Sequence, residues 1–278
     1  MIPLPWPFER EYMQLALVAA VVVGTSAPLV GTFLVQKRLS LMGDGIGHVA
    51  FAGVAAGLLT GVWPIWTALL AAIGAACAIE WLRSRGGAAG DLALAVFFYA
   101  GLAGGVVLTG LGGSLDGGIL TYLFGSILTV TPGDAVTIAV LGALTATVVA
   151  QLWRALFSVV LDEESARVAG LPVDGLNLAL ATLTSVIVVA SMRVVGVLLV
   201  AALMVLPVGT AQRVARSFRG TLLAASVVGG GSAVAGLVAA RLWGLAPGGT
   251  IVLVASGVFL VAVVARRRSG PLEGMRAP

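Results

Sequence analysis

Apolar stretches follow one another along this chain, each broken by a few polar or basic residues. A membrane-spanning helix needs about 20 mostly apolar residues. Stretches near that length lie at 12–35, 45–62, 64–82, 92–111, 134–153, 175–192, 194–212, 221–241 and 247–265. Strands of a membrane barrel would alternate apolar and polar with period two. Leu15–Val23 and Val252–Val264 do not alternate, so the spans are read as helices. The pattern predicts an all-α, polytopic integral membrane protein of about nine transmembrane helices, with eight as the lower count. It forms a single transmembrane domain over 1–278. The first span is too long for a signal-peptide core and follows Glu9, Arg10 and Glu11 rather than a basic segment. It is read as a retained helix.

Composition supports the same solvent. Of the 278 residues, 59% are hydrophobic and only 10% charged, against roughly 25% charged in soluble domains. So few charges cannot cover a water-facing surface, and a lipid bilayer is the expected surrounding. The same figures exclude disorder. The net charge of +4 points to basic cytoplasmic loops rather than to nucleic acid. With Cys77 as the single cysteine, no internal disulfide exists.

The basic residues set an orientation. Lys37, Arg38, Arg83, Arg85, Arg154, Arg167, Arg213, Arg216, Arg219, Arg266, Arg267, Arg268 and Arg276 fall after odd-numbered spans, and only Arg10, Arg193 and Arg241 fall on the other side. Short cytoplasmic loops are enriched in Lys and Arg. This places the N-terminus outside and the C-terminus in the cytoplasm. The stretch 175–212 is ambiguous. Only Ser191–Met192–Arg193 separates two short spans there, and Pro207 interrupts the second, so a broken or re-entrant helix is an alternative. The outer segment 112–133, with Tyr122–Leu–Phe–Gly–Ser126, is partly apolar and reads as interfacial or re-entrant.

Glycine recurs every four residues at Gly43 and Gly47, at Gly53, Gly57 and Gly61, and at Gly101 and Gly105. Small residues at this spacing let helix backbones approach closely in lipid.

Residues able to carry chemistry are few. His48 is the only histidine and follows Asp44 by four, which on a helix puts both on one face. A carboxylate and an imidazole suit Mn²⁺, Fe²⁺ or Zn²⁺. Two ligands make half a site, and two facing copies would supply two Asp and two His. The spacing alone also allows Asp44 to be a helix N-cap and His48 an interfacial donor. Ionisable groups entering an apolar span are functional candidates by default. Glu80 is expected to pair with Arg83 or to be hydrated, and Asp91 and Asp134 to cap the helices they begin.

On the inner side, the segment 154–174 contains Leu161–Asp–Glu–Glu–Ser–Ala–Arg–Val–Ala–Gly–Leu–Pro–Val173. It reads as a short helix with acidic residues in its first turn, stopped by Gly170 and Pro172. It is either a docking element or a solvated connector. There is no G-x-x-x-x-G-K-[ST], H-E-x-x-H, G-x-S-x-G or C-x-x-C, so the chain is not expected to hydrolyse ATP or to be an enzyme.

Ser40–Leu41, Gly43–Asp44–Gly45, His48 and Gly53–Val54–Ala55 together resemble a signature of the zinc/manganese/iron permeases of the ABC importer superfamily. Val194–Val–Gly–Val–Leu–Leu–Val–Ala–Ala–Leu–Met–Val–Leu–Pro–Val–Gly–Thr–Ala211, Tyr122–Ser126 and Ala169–Gly170–Leu171 are similar to further pieces of that family, in order along nearly the whole chain. Gly47, Gly209 and Arg193 depart from its usual residues. The resemblance implies the ABC importer permease fold. It implies a homodimeric path for a divalent metal in the bacterial cytoplasmic membrane, with no permanently bound cofactor. A separate cytoplasmic ABC ATPase and an extracytoplasmic metal-binding protein would be its partners. It implies Asp44 and His48 as transport-path ligands. It also implies that Asp162, Glu163, Glu164, Ala166, Gly170 and Leu171 contact the ATPase. A proton-coupled secondary carrier of metal or small solute is the alternative, although no inverted repeat is visible and 154–174 would have no evident task in it.

Overall fold

The computed structural model describes residues 8–85, 90–112, 117–126 and 128–268. Eleven helices appear among them: α1 (Glu11–Gln36), α2 (Met42–Thr60), α3 (Pro64–Arg85), α4 (Gly90–Leu111), α5 (Gly117–Phe124), α6 (Pro132–Leu161), α7 (Glu163–Val168), α8 (Val173–Ser191), α9 (Val200–Val214), α10 (Phe218–Trp243) and α11 (Pro247–Arg268). Eight are long and apolar enough to cross a membrane, and α9 is a shorter apolar helix.

Burial separates an inner from an outer layer. Most of the apolar windows of α1, α2 and α8 are buried, whereas those of α4, α6 and α11 are mostly exposed. α2 packs on α3, α4, α8 and α9, and α1 packs on α6, α8, α9 and α10. The exposed positions of the outer helices include Val106, Val140, Leu253 and Val261. Apolar side chains in that number on an outer face are what a lipid solvent requires. Exposed Trp63, Trp66 and Trp243 sit at one end of the bundle and Trp81 near the other, where amphipathic rings anchor at the two interfaces.

The glycine rows do what their spacing predicts, with one exception. A Cβ on Gly53 would lie 2.7 Å from the Ala68 Cα, and one on Gly101 would lie 2.5 Å from the Val49 nitrogen. Gly61 instead ends α2 in the left-handed region at φ 71°, with nothing within 4 Å.

Two spans differ from the pattern. α6 runs for 30 residues, about 45 Å at 1.5 Å per residue, and so overshoots an apolar core of about 30 Å. The expected helix at 194–212 begins only at Val200 and has 15 residues. Residues 192–199 are irregular because their backbone bonds elsewhere. Val197 N–H donates to Tyr122 O at 2.9 Å, Leu198 N–H to Leu123 O at 3.3 Å, and Ser126 N–H to Arg193 O at 3.1 Å. In lipid, unwound backbone persists only where protein satisfies it, and here α5 does so. This close fit needs glycine on both sides. Gly125 (φ 75°) and Gly196 (φ 87°) are left-handed, and a Cβ on either would come within 2.3 Å of a carbonyl oxygen. Pro207 lies inside α9.

Candidate functional site

Asp44 and His48 occupy the first two turns of α2, at the end of the bundle that carries Lys37, Arg38 and Arg83. The cap reading of Asp44 does not hold. Leu41 is the N-cap residue, no side chain caps the helix, and Asp44 is its third residue. Its carboxylate therefore sits beside the positive end of the helix dipole, where negative charge is favoured, without being consumed by a cap bond. Between Met42 and Gly57 the half-exposed positions are Asp44, Val49, Ala52 and Ala56. Asp44, Ala52 and Ala56 share a four-residue row with His48. Asp44 is the partly open start of this row, and α4 packs across it at His48 and Ala52.

His48 itself is buried at 8% exposure. Its ring meets Phe98 of α4 edge-on, with centroids 4.2 Å apart and 70° between planes. Gly101 lets α4 lie directly against the His48 backbone, since a Cβ there would be 2.7 Å from the His48 carbonyl carbon. Gly47, on the other flank, faces the unwound segment. A Cβ there would be 3.3 Å from the Val197 Cγ2, so the smaller residue fits a close packing. The His48 Nδ1 is buried and has no hydrogen-bond partner. A buried nitrogen left unsatisfied costs about 1–3 kcal/mol, and a metal ion is one group that would satisfy it. Among the described residues no cluster of three or more His, Cys, Asp or Glu could hold a metal, so a single copy offers at most the Asp44–His48 half-site.

The second site predicted from sequence is α7, six residues held against the body of the bundle. Asp162 caps it, accepting from Glu164 N–H at 2.9 Å, Ser165 N–H at 3.2 Å and the Ser165 hydroxyl at 2.5 Å. The Ser165 hydroxyl and backbone bonds, with the Glu164 bond, hold the Asp162 carboxyl below the usual range. Ala166 is buried. Gly170 at φ 81° stops the helix, with Gly170 N–H donating to Arg167 O at 3.1 Å and Leu171 N–H to Ala166 O at 3.0 Å. This is the Schellman arrangement that favours glycine. Glu163 turns inward to Lys37 and Asn177. Its partial burial raises its pKa, but the hydrogen bond and charge of Lys37 and the Asn177 bond outweigh that and leave it lowered. Of the six predicted contact residues, Glu164 presents an exposed charge free of these internal duties. Leu161, Arg167 and Val168 share the exposed surface, and Arg167 pairs with Asp174 at 2.8 Å.

The Glu80–Arg83 pair forms as expected, at 2.7 Å. The cap expected at Asp91 falls outside the described side chains. Asp134 is not a cap. Thr131 is, in a capping box whose third residue is Asp134. Sequence reasoning also missed where Arg193 goes. It is read as a loop charge, yet its guanidinium stacks 4.8 Å from the Tyr122 ring, and its Nε lies 3.4 Å from Asp134 Oδ1. The signal was its place between two apolar runs too short to bring it to water.

A family model described as the ABC 3 transport family matches residues 9–266. A protein of Treponema pallidum named as a "Probable metal transport system membrane protein" is 34% identical, the match covering 94% of this chain and 98% of the relative. The manganese transport system membrane protein MntC of Halalkalibacterium halodurans is 30% identical (94% and 90% covered). The high-affinity zinc uptake system membrane protein ZnuB of Haemophilus influenzae is 27% identical (91% and 97%). Among solved structures, PsaBC from Streptococcus pneumoniae in complex with Fab superposes with a TM-score of 0.83 at 30% identity, covering 91% of each chain.

Proposed function

The chain belongs to the ABC 3 transport family, and from that premise we propose that it is the permease subunit of an ATP-driven importer of a divalent transition-metal ion, of the Zn²⁺, Mn²⁺ and Fe²⁺ class. Two copies form the path, with Asp44 and His48 of each as ligands to the passing ion. The bundle end bearing Lys37, Arg83, Arg154 and Arg216 faces the cytoplasm, in keeping with the bias of Lys and Arg. There α7 receives a separate ATPase subunit, and an external metal-binding protein delivers the ion at the opposite end.

One observation carries the reading. One row of α2 bears a half-exposed carboxylate in no cap bond and, one turn on, a buried imidazole nitrogen in no hydrogen bond. A second copy facing Asp44 and His48 would complete a set of two oxygens and two nitrogens. Such a set suits tetrahedral Zn²⁺ at about 2.0–2.2 Å, while Mn²⁺ would add further oxygens. The relatives named for manganese and zinc transport support that metal class.

The test is metal uptake into vesicles holding the permease and its ATPase. Asp44→Asn keeps the shape and loses the charge, and His48→Ala removes the nitrogen. Each variant should insert and assemble normally and take up no metal. Wild-type uptake by both variants would refute the assignment.

A further inference from the structure

Lys37 is the only lysine of the chain. It sits at the C-cap of α1, and its side chain is 6% exposed. Lysine ammonium groups are strongly hydrated and ordinarily remain in water. This one reaches both Glu163, at the start of α7, and Asn177, in the first turn and a half of α8. Asn177 Nδ2 donates in turn to Glu163 Oε1 at 3.3 Å. The backbone of α7 packs on α6 and α8. Its hydrogen-bonded tie to the end of α1 runs through the Lys37 side chain.

Beyond Lys37 the chain is stiff. Arg38, at φ 60°, is the one non-glycine described residue with positive φ. Arg38 N–H donates to Val35 O at 3.1 Å and Leu39 N–H to Leu34 O at 2.8 Å. Met42 N–H donates to Leu39 O at 2.9 Å and Gly45 N–H to Leu41 O at 3.1 Å. The turn is hydrogen-bonded at successive steps from the end of α1 into the first turn of α2. A push on the Lys37 side chain therefore reaches Asp44 through a braced corner rather than a slack loop.

We propose that Lys37 is a positioning strut that transmits movement of α7 to α2 and so to the Asp44–His48 pair. The proposal rests on the importer reading and deepens it by naming the route from the ATPase-facing helix to the metal ligands. The competing route runs through α8, which also packs on α2 and needs no lysine.

The experiment uses the assembled permease–ATPase complex in vesicles, supplied with Mn²⁺ or Zn²⁺, and reads metal uptake and phosphate release together. K37M should leave ATP hydrolysis nearly unchanged and lower the metal moved per ATP by about tenfold, within the range seen for residues that carry coupling. The charge swap K37E with E163K should restore most of that ratio. A wild-type ratio in K37M would overturn the strut in favour of α8. A proportional loss of hydrolysis and uptake in K37M would overturn it in favour of an assembly role. A swap no better than K37M would overturn the ion pair as the link. Wild-type complex in the same vesicles reads the importer assignment separately. Absence of uptake there strikes that assignment, whereas a defect confined to the K37M ratio supports the strut.

Discussion

Gly170 offers a clean perturbation because the space around it is empty. Nothing lies within 4 Å of where a Cβ would be, yet its φ is 81°. Gly170→Ala therefore introduces backbone strain and no clash. A left-handed conformation costs an L-residue about 1–2 kcal/mol, and the stiffer unfolded chain returns about 0.4–1 kcal/mol of that. From the middle of both ranges, the net weakening of the α7 terminus is about 0.8 kcal/mol, or roughly 4-fold in its local opening equilibrium. The amides that report it are Gly170 and Leu171, which donate to Arg167 and Ala166. Hydrogen exchange of the permease in detergent should quicken at those two amides by that factor and stay unchanged in α10. Gly170→Asn should show a smaller effect, because asparagine tolerates the left-handed region. Equal effects from Ala and Asn, or none from either, would refute the backbone account.

Three further outcomes follow from the geometry. Gly101→Val should push α4 off the His48 backbone and abolish metal uptake without preventing insertion. Overpacking of this kind costs about 1–3 kcal/mol, and wild-type uptake would contradict the close approach. Asp134 is 1% exposed and its partner Arg193 18%, so Arg193→Met should lower the thermal midpoint strongly, breaking such a pair costing about 3–5 kcal/mol. Adding Asp134→Asn should recover much of the loss, and additive losses would show that the two do not act as a pair. Glu163 has a lowered pKa, so its contribution is present above the ordinary glutamate range near about 4.3 and is lost as pH falls through its lower folded value. The stability difference between wild type and Glu163→Gln should therefore shrink as pH falls below the ordinary glutamate range and vanish below the lowered folded value; a difference that grows on acidification would reverse the assignment.

The eight long spans were legible because a run of apolar side chains long enough to cross lipid has few other uses. The start of α9 was not, since Val194–Leu199 is apolar enough to continue a helix. It is unwound by hydrogen bonds that its N–H groups donate to α5 carbonyls, a partner more than 60 residues away that periodicity cannot reveal. The two left-handed glycines, Gly125 and Gly196, were the local trace of that junction. Asp44 and His48 were found by residue type and spacing. That Asp44 stays half-exposed while α4 covers His48 depends on the packing around α2 and needed the fold. The partners of Lys37, Glu163 and Asn177, lie 126 and 140 positions away, so its role could not be read from its neighbours.

The central claim is that two chains share one metal through Asp44 and His48. The direct measurement is metal content of the purified permease after equilibration with Zn²⁺ or Mn²⁺ and removal of the excess, with X-ray absorption reporting the ligands. The account predicts one ion per two chains, imidazole nitrogen in its coordination shell, and loss of the ion in both Asp44→Asn and His48→Ala. One ion per chain with nitrogen absent from the shell, or unchanged binding by the two variants, would contradict it.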